Sequence, residues 1–180
     1  MAAVTVPRPD ADEYAEFYAG YVAEVPVTAD PVAELGAQLD TVRRLLQAVP
    51  EEQAEFRYSP EKWSVKEVIG HLCDSERVFA YRLLRIARAD ETPLPGFEEN
   101  DYVSEANFDA RTLADLADEW AAIRAATRLL VRGIGPAAWE RRGTASGKPV
   151  SARALLYILI GHTQHHLGVL RSRYRVGRPS

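Results

Sequence analysis

Four stretches of the chain repeat apolar residues at three- and four-residue steps, and no stretch alternates cleanly with a period of two. Val32, Leu35, Leu39, Val42, Leu46 and Val49 form the first stripe. Val65, Val68, Ile69, Leu72, Phe79, Leu83 and Ile86 form the second. Leu113, Leu116, Trp120, Ile123, Thr127 and Leu130 form the third, and Leu155, Ile158, Leu159, His162, His166, Val169 and Leu170 the fourth. Such stripes each bury one face of an amphipathic helix. The ends are marked chemically. Asp30 before Pro31 is a cap followed by a preset first turn, and Pro50 closes that segment. Ser64 and Glu67 have capping-box spacing and open a helix expected to run to about residue 89. The third helix begins near Arg111 and Thr112 and stops at Gly133, Gly135 and Pro136. The fourth starts at Ser151, after the turn TASGKPV, and runs to about Tyr174, with Gly177 beyond. No tight turn stands between β-branched runs, so no hairpin is expected. Four long amphipathic helices predict an all-α, four-helix bundle over residues 28–180. Residues 1–27, rich in tyrosine, read as a segment docking on it.

The remaining bulk properties narrow the function. A chain of 180 residues with net charge −4 is the size of one domain. It lacks a general basic field for nucleic acid. Arg171, Arg173, Arg175 and Arg178 are a local exception, suited to a helix C-terminus. Cys73 is the single cysteine, which excludes an intramolecular disulfide and fits a reducing compartment. The first residues do not resemble a secretory signal, and no apolar run is long enough to span a bilayer. The expectation is a soluble cytoplasmic protein.

Histidine is the unusual residue. Of four in the chain, three stand at positions 162, 165 and 166. His162 and His166, one helical turn apart, lie about 40° from each other around the axis. This is the spacing at which two imidazoles of one helix reach one metal ion. Both fall on the inward stripe, where an unpaired polar group is costly. His71 lies on the inward side of the second helix. If the two levels meet, His71, His162 and His166 form a three-histidine site. His165 is an alternative to His166, though its angle is poorer. The bland alternative is a core with hydrogen-bonded histidines and no metal.

Neighbouring residues have weaker claims. Cys73 points about 200° away from His71 and reads as a small buried apolar residue. Asp74 stands one turn after His71 and is a candidate to orient an imidazole. Glu76 falls inside the apolar stripe and needs a partner there, with Arg82 or Arg128 the candidates, or else a role as a base. The connection over residues 90–110 is long for a bundle and has the look of an ordered lid or crossover. Within it Tyr102, beside Asp101, is a candidate to touch substrate, and Gly96 and Phe97 shape the loop.

The stretches KWSVKEVIGHLCDSERVFAYRLLRIARADETPLPGFEENDYV and GTASGKPVSARALLYILIGHTQHHLGVLRSRY resemble the DinB-like (DinB/YfiT) superfamily of metal-binding four-helix bundles. The most specific parts are the W-S-x-x-E-x-x-x-H-L opening of the second helix and the H-x-x-x-H of the fourth. The resemblance implies a bundle with a long crossover between helices two and three. It implies a divalent metal, commonly zinc or nickel, held by His71, His162 and His166. It also implies a homodimer. Relatives transfer a low-molecular-weight thiol such as bacillithiol, mycothiol or glutathione, isomerise maleylpyruvate with such a thiol, or are described as hydrolases.

Three neutral imidazoles would leave a divalent ion's charge uncompensated and a coordination position open, the pattern of catalytic rather than structural sites. The chain offers no evident nucleophile of its own. Two functions are therefore expected as alternatives. One is a metal-dependent enzyme, a thiol S-transferase or hydrolase acting on a small molecule with a borrowed thiol or water. The other is a non-catalytic metal-binding stress or scaffold protein.

Overall fold

The computed structural model describes residues 6–176, so Arg178 and Gly177 lie outside the described residues. Its helices are α1 (Ala19–Glu24), α2 (Pro31–Gln47), α3 (Val65–Ala87), α4 (Glu99–Ala106), α5 (Leu113–Arg132) and α6 (Ala152–Ser172). A hairpin, β1 (Arg142–Ala145) and β2 (Lys148–Ser151), precedes α6. The four long helices are capped as their sequences dictate. Asp30 accepts from the amides of Val32 and Ala33, and Ser64 and Glu67 close a reciprocal capping box. Thr112 accepts from Asp115 and Ser151 from Ala154. Each bond satisfies an amide that the first turn leaves without a partner.

The four form a four-helix bundle in which α2 and α3 each pack against both α5 and α6. Side-chain contacts give the directions. Tyr174, beyond α6, donates its hydroxyl to the carbonyl of Trp63, just ahead of α3, at 2.6 Å. At the other end, a Cβ on Gly143, ahead of α6, would meet Ile86 of α3 at 2.8 Å. Thus α3 and α6 are antiparallel. Cys73 and Glu76 of α3 meet Leu116 and Arg124 of α5 in the same order, so these two are parallel. The segment between them must therefore run back along the bundle, which explains its length. It is not an open loop: it carries α4, ended by Asn107 in the left-handed conformation at φ 51°, a conformation asparagine tolerates. It also carries Leu94, whose backbone exchanges hydrogen bonds with Thr144 and Ser146 of the hairpin.

The hairpin corrects the expectation of no strands. Its two turn residues, Ser146 (φ 52°) and Gly147 (φ 71°), both have positive φ, as the favoured two-residue hairpin turn requires. Four-residue strands are too short to display a period in the sequence, and β1 contains Gly143.

The interior has two apolar clusters, one around Leu35, Phe79, Leu83 and Leu155, the other around Val42, Leu72, Leu116 and Leu167. Where each helix passes from one cluster to the other, it places a buried polar side chain: Gln38 on α2, Glu76 on α3, Arg124 on α5 and Thr163 on α6. The N-terminal segment lies on α6. Gly161 makes this approach possible, because a Cβ there would fall 1.8 Å from the carbonyl oxygen of Tyr21. Glu13, buried, pairs with Arg153 of α6.

Candidate metal centre

His71 stands two turns inside α3 and His162 midway along α6. Antiparallel packing brings these levels together, a point the separate sequences of two helices cannot settle. The Nε2 atoms of His71 and His162 are 3.0 Å apart. His166, one turn further along α6, has its ring centre 4.9 Å from that of His71 and 4.6 Å from that of His162. One ring nitrogen from each of the three lies within 4.8 Å of the others. His165 is outside this group. Its exposed ring packs instead against Tyr21, at 5.4 Å between centres.

The three rings are held by apolar and aromatic walls. Trp63, the residue before the α3 cap, places its ring 4.7 Å from His71. Tyr21 and Phe79 stand edge-on to His162 at 5.2 and 5.6 Å. Burial lowers the pKa of His71 to about 4. His162 and His166 lie well below the ordinary histidine value, chiefly through burial and secondarily through neighbouring imidazoles. All three are thus neutral near pH 7, the state in which imidazole offers a lone pair to a cation. Besides His162, the polar side chain in contact with His71 among the described residues is Ser75, whose hydroxyl is 3.4 Å from its ring nitrogens, a long contact. The Nδ1 of His166 is buried with no hydrogen-bond partner among the described residues. A buried polar atom left unmet normally costs about 1–3 kcal/mol, so the donor set fits a bound cation better than an empty core. The other compact group of metal-binding residue types, Asp10, Asp12 and Glu13, is paired to Arg142 and Arg153.

Two cavities reach the cluster from different sides. One, of about 190 Å³, is lined by His71, His162 and Ser75 together with residues of the N-terminal segment and the α3–α5 connection. The other, of about 280 Å³, is lined by His165, His166, Trp63 and Lys62. The first turn of α4 contributes to both: Glu99 lines the first and its neighbour Asn100 the second.

The remaining candidates from the sequence lie elsewhere. Asp74 does not bond to His71. It faces Arg77, at 3.5 Å, and burial raises its pKa against the opposing pull of Arg77. Glu76 is buried and its partner is Arg124, not Arg82 or Arg128. Arg124 donates to Glu76 Oε2 from Nε and Nη2 at 3.0 and 2.8 Å. It also donates to Gln38 and Thr163, each at 2.8 Å. Arg82 is engaged by Pro95 and Ser146. Tyr102 sits on the exposed side of α4, packed on Phe97 at 5.3 Å between ring centres. It lines a neighbouring cavity with Arg77 and Tyr81 rather than either cavity at the histidines. Cys73 is buried, and burial pushes its thiol pKa up, which makes it inert. Tyr21, Trp63, Ser75, Glu99 and Asn100 are the site residues that the stripes and spacings did not single out. Of these only Trp63 carried a signal, as part of the W-S-x-x-E-x-x-x-H-L stretch.

A family model described as the DinB superfamily matches residues 34–170. No curated protein matches the sequence. Among solved structures, YfiT from Bacillus subtilis, described as "a probable metal-dependent hydrolase with an unusual four-helix bundle topology", aligns with a TM-score of 0.70 at 16% identity. That alignment covers 93% of this chain and 91% of YfiT. A mycothiol-dependent maleylpyruvate isomerase aligns with a TM-score of 0.64 at 16% identity, over 81% of this chain and 61% of the isomerase. A DinB-like protein from Bacillus subtilis gives 0.60 at 18% identity, over 84% and 96%. At these identities the likeness establishes the shared fold.

Proposed function

Since the chain belongs to the DinB superfamily, we propose that it is a metal-dependent enzyme that activates a thiol or a water against a small organic molecule. His71, His162 and His166 would hold the ion. The observation that carries this reading is the convergence of three neutral imidazoles from two helices, with the His166 Nδ1 buried and unpartnered. A divalent cation on three neutral ligands supplies Lewis acidity, lowering the pKa of a thiol or water bound to it. Zinc and nickel are among the metals that imidazole ligands suit.

The chain's own residues would orient the reactants and limit water. Trp63 and Tyr21 hold the imidazole planes from outside, so the ligands are fixed before the metal arrives. The cavity beside His166, with Lys62 and Asn100 in its wall, suits a polar, thiol-bearing reactant. The opposite cavity suits the molecule that is attacked. Glu76 acts as a positioning residue: through Arg124 it ties α3 to α6 at Thr163, next to His162. Asp74 and Tyr102 have no part at the reacting atoms in this reading.

A site used only to bind metal would be sealed, whereas cavities approach these histidines from two sides, which supports turnover. No helix among the described residues is long and apolar enough to cross a membrane, and the reading places the enzyme in the cytoplasm as a homodimer. A screen of several cellular thiols against electrophiles, and of hydrolase substrates, with zinc and nickel varied tests it. Metal-dependent turnover lost in His71→Ala is the expected result. Its absence across every thiol and ester would leave the binding-only alternative.

A further inference from the structure

The cavity beside His71 and His162 has a one-sided chemistry. Five aromatic rings line it: Phe17, Tyr18 and Tyr21 from the N-terminal segment, Phe79 from α3 and Phe97 from the α3–α5 connection. The rings are mutually packed, with Phe17 edge-on to Tyr18 and Tyr21 at 5.3 and 6.1 Å, and Tyr18 edge-on to Phe79 at 6.1 Å. Phe17 is 73% exposed, so its ring is available to pack on a bound molecule. Among the described residues no lysine or arginine lines the cavity, and the one formally charged side chain there is the carboxylate of Glu99. Arg82 approaches the rings of Phe79 and Phe97, at 6.0 and 5.7 Å from their centres. Its donors are nevertheless spent on Pro95 and Ser146, and it does not line the space. The cavity beside His166 differs: Lys62, Glu61 and His165 stand in its wall, so both signs of charge are present.

We propose that this aromatic cavity selects an uncharged aromatic or conjugated co-substrate and rejects carboxylates and other anions, with Glu99 as the residue that sets this selectivity. The inference rests on the reading of the three histidines as a catalytic centre and assigns the class of molecule presented to it. Ring faces and edges offer a flat apolar body offset-stacked and edge-on contacts. An anionic group would lose its hydration on entry, find no lysine or arginine and meet Glu99, whose like-charge repulsion adds to desolvation and opposes the pull of an ion held by His71 and His162. The cavity beside His166, where Lys62 stands, is left to the charged reactant.

The test uses two nearly isosteric probes, methyl phenyl sulfone and benzenesulfonate, which differ in charge and bind metal ions weakly. Their dissociation constants are measured by ligand-observed NMR on metal-loaded wild-type protein, with metal content measured on the same samples. The expected result is tighter binding of the sulfone, weakened in Phe17→Ala and Phe97→Ala. Glu99→Gln should improve benzenesulfonate binding roughly three- to tenfold, the scale of one like charge at close range near a surface, and leave the sulfone unchanged. Equal or tighter binding of benzenesulfonate to the wild type, or a Glu99→Gln variant with an unaltered ratio, would overturn the proposal. The probe ratio does not depend on turnover. A protein that keeps the preference but holds no metal would refute the metal reading alone, and a metal-loaded protein without the preference would refute this inference alone.

Discussion

The middle of this bundle contains two buried polar groups side by side, and they are built on opposite principles. Around Arg124 the polar atoms answer one another. Its guanidinium, fully buried, meets Glu76, Gln38 and Thr163, and lies over the ring of Trp120 at 4.9 Å. Gln38 in turn donates to the carbonyl of Ile160 at 2.9 Å, and Thr163 to that of Leu159 at 3.1 Å. All four long helices contribute, and although Glu76 Oε1 accepts no hydrogen bond it lies 2.7 Å from the guanidinium Nε. Around His71, His162 and His166 three neutral rings gather instead, with the Nε2 atoms of His71 and His162 3.0 Å apart and the Nδ1 of His166 buried without a partner. Both regions are polar and mostly buried. What separates them is that the first pairs opposite charges across four helices, whereas the second gathers neutral, metal-ligating rings with no counter-charge.

The difference can be broken from the closed side first, where the largest effect is expected. Glu76→Ala leaves a buried guanidinium short of its counter-charge and should lower stability by about 3–5 kcal/mol in urea unfolding. Replacing both partners together, as Glu76→Leu with Arg124→Met, should recover most of that loss. A second closed pair, Glu13 with Arg153, sharpens the point through pH. Burial tends to raise the Glu13 pKa, but hydrogen bonds from Arg153, Ser151 and the Asp10 backbone outweigh it and bring the group down to about 2. The folded state therefore binds its proton less readily than the unfolded chain. Its stabilising contribution, at most roughly 3 kcal/mol, is complete above pH 4.5 and is lost as pH falls towards 2. Glu13→Gln should flatten the acid limb of a stability–pH curve over that range.

Much of the frame was legible in the sequence because it depends on local chemistry. The stripes located the four long helices, and Asp30, Ser64, Thr112 and Ser151 marked their starts, since a cap acts on amides two or three residues away. The H-x-x-x-H spacing identified His162 and His166 because one helical turn is a local distance. What escaped was set by packing. Arg124 is a charged residue beside Ile123, and nothing in its neighbours says that three other helices supply its partners. Glu76 was expected to find Arg82 or Arg128, which are also arginines. Only the parallel register of α3 and α5 selects Arg124. The meeting of His71 with His162 likewise required the antiparallel pairing of α3 and α6. Glu99 and Asn100 stood in a segment with no strong period, so their opposite placements could not be read.

Smaller effects probe the open region. Gly161→Ala would drive a methyl group against the Tyr21 carbonyl and displace α1, costing about 1–3 kcal/mol. Limited proteolysis should then cleave more readily within residues 14–24, a change that bypasses the Arg124 network. The smallest effect is the most discriminating. In metal-free protein, His166→Leu removes a polar atom that had no partner and should be neutral or stabilising by up to about 1 kcal/mol. A loss as large as that of Glu76→Ala would mean that the histidines form a closed structural network after all.

The most direct measurement is a titration of metal-free protein with zinc and nickel, followed by calorimetry and thermal unfolding. The account predicts one ion per chain and a stabilisation of about 2.7 kcal/mol at a hundredfold excess over Kd. This should be abolished separately by His71→Ala, His162→Ala and His166→Ala and retained in His165→Ala. Wild-type protein that binds no ion, or binds it undiminished without His162, would contradict it.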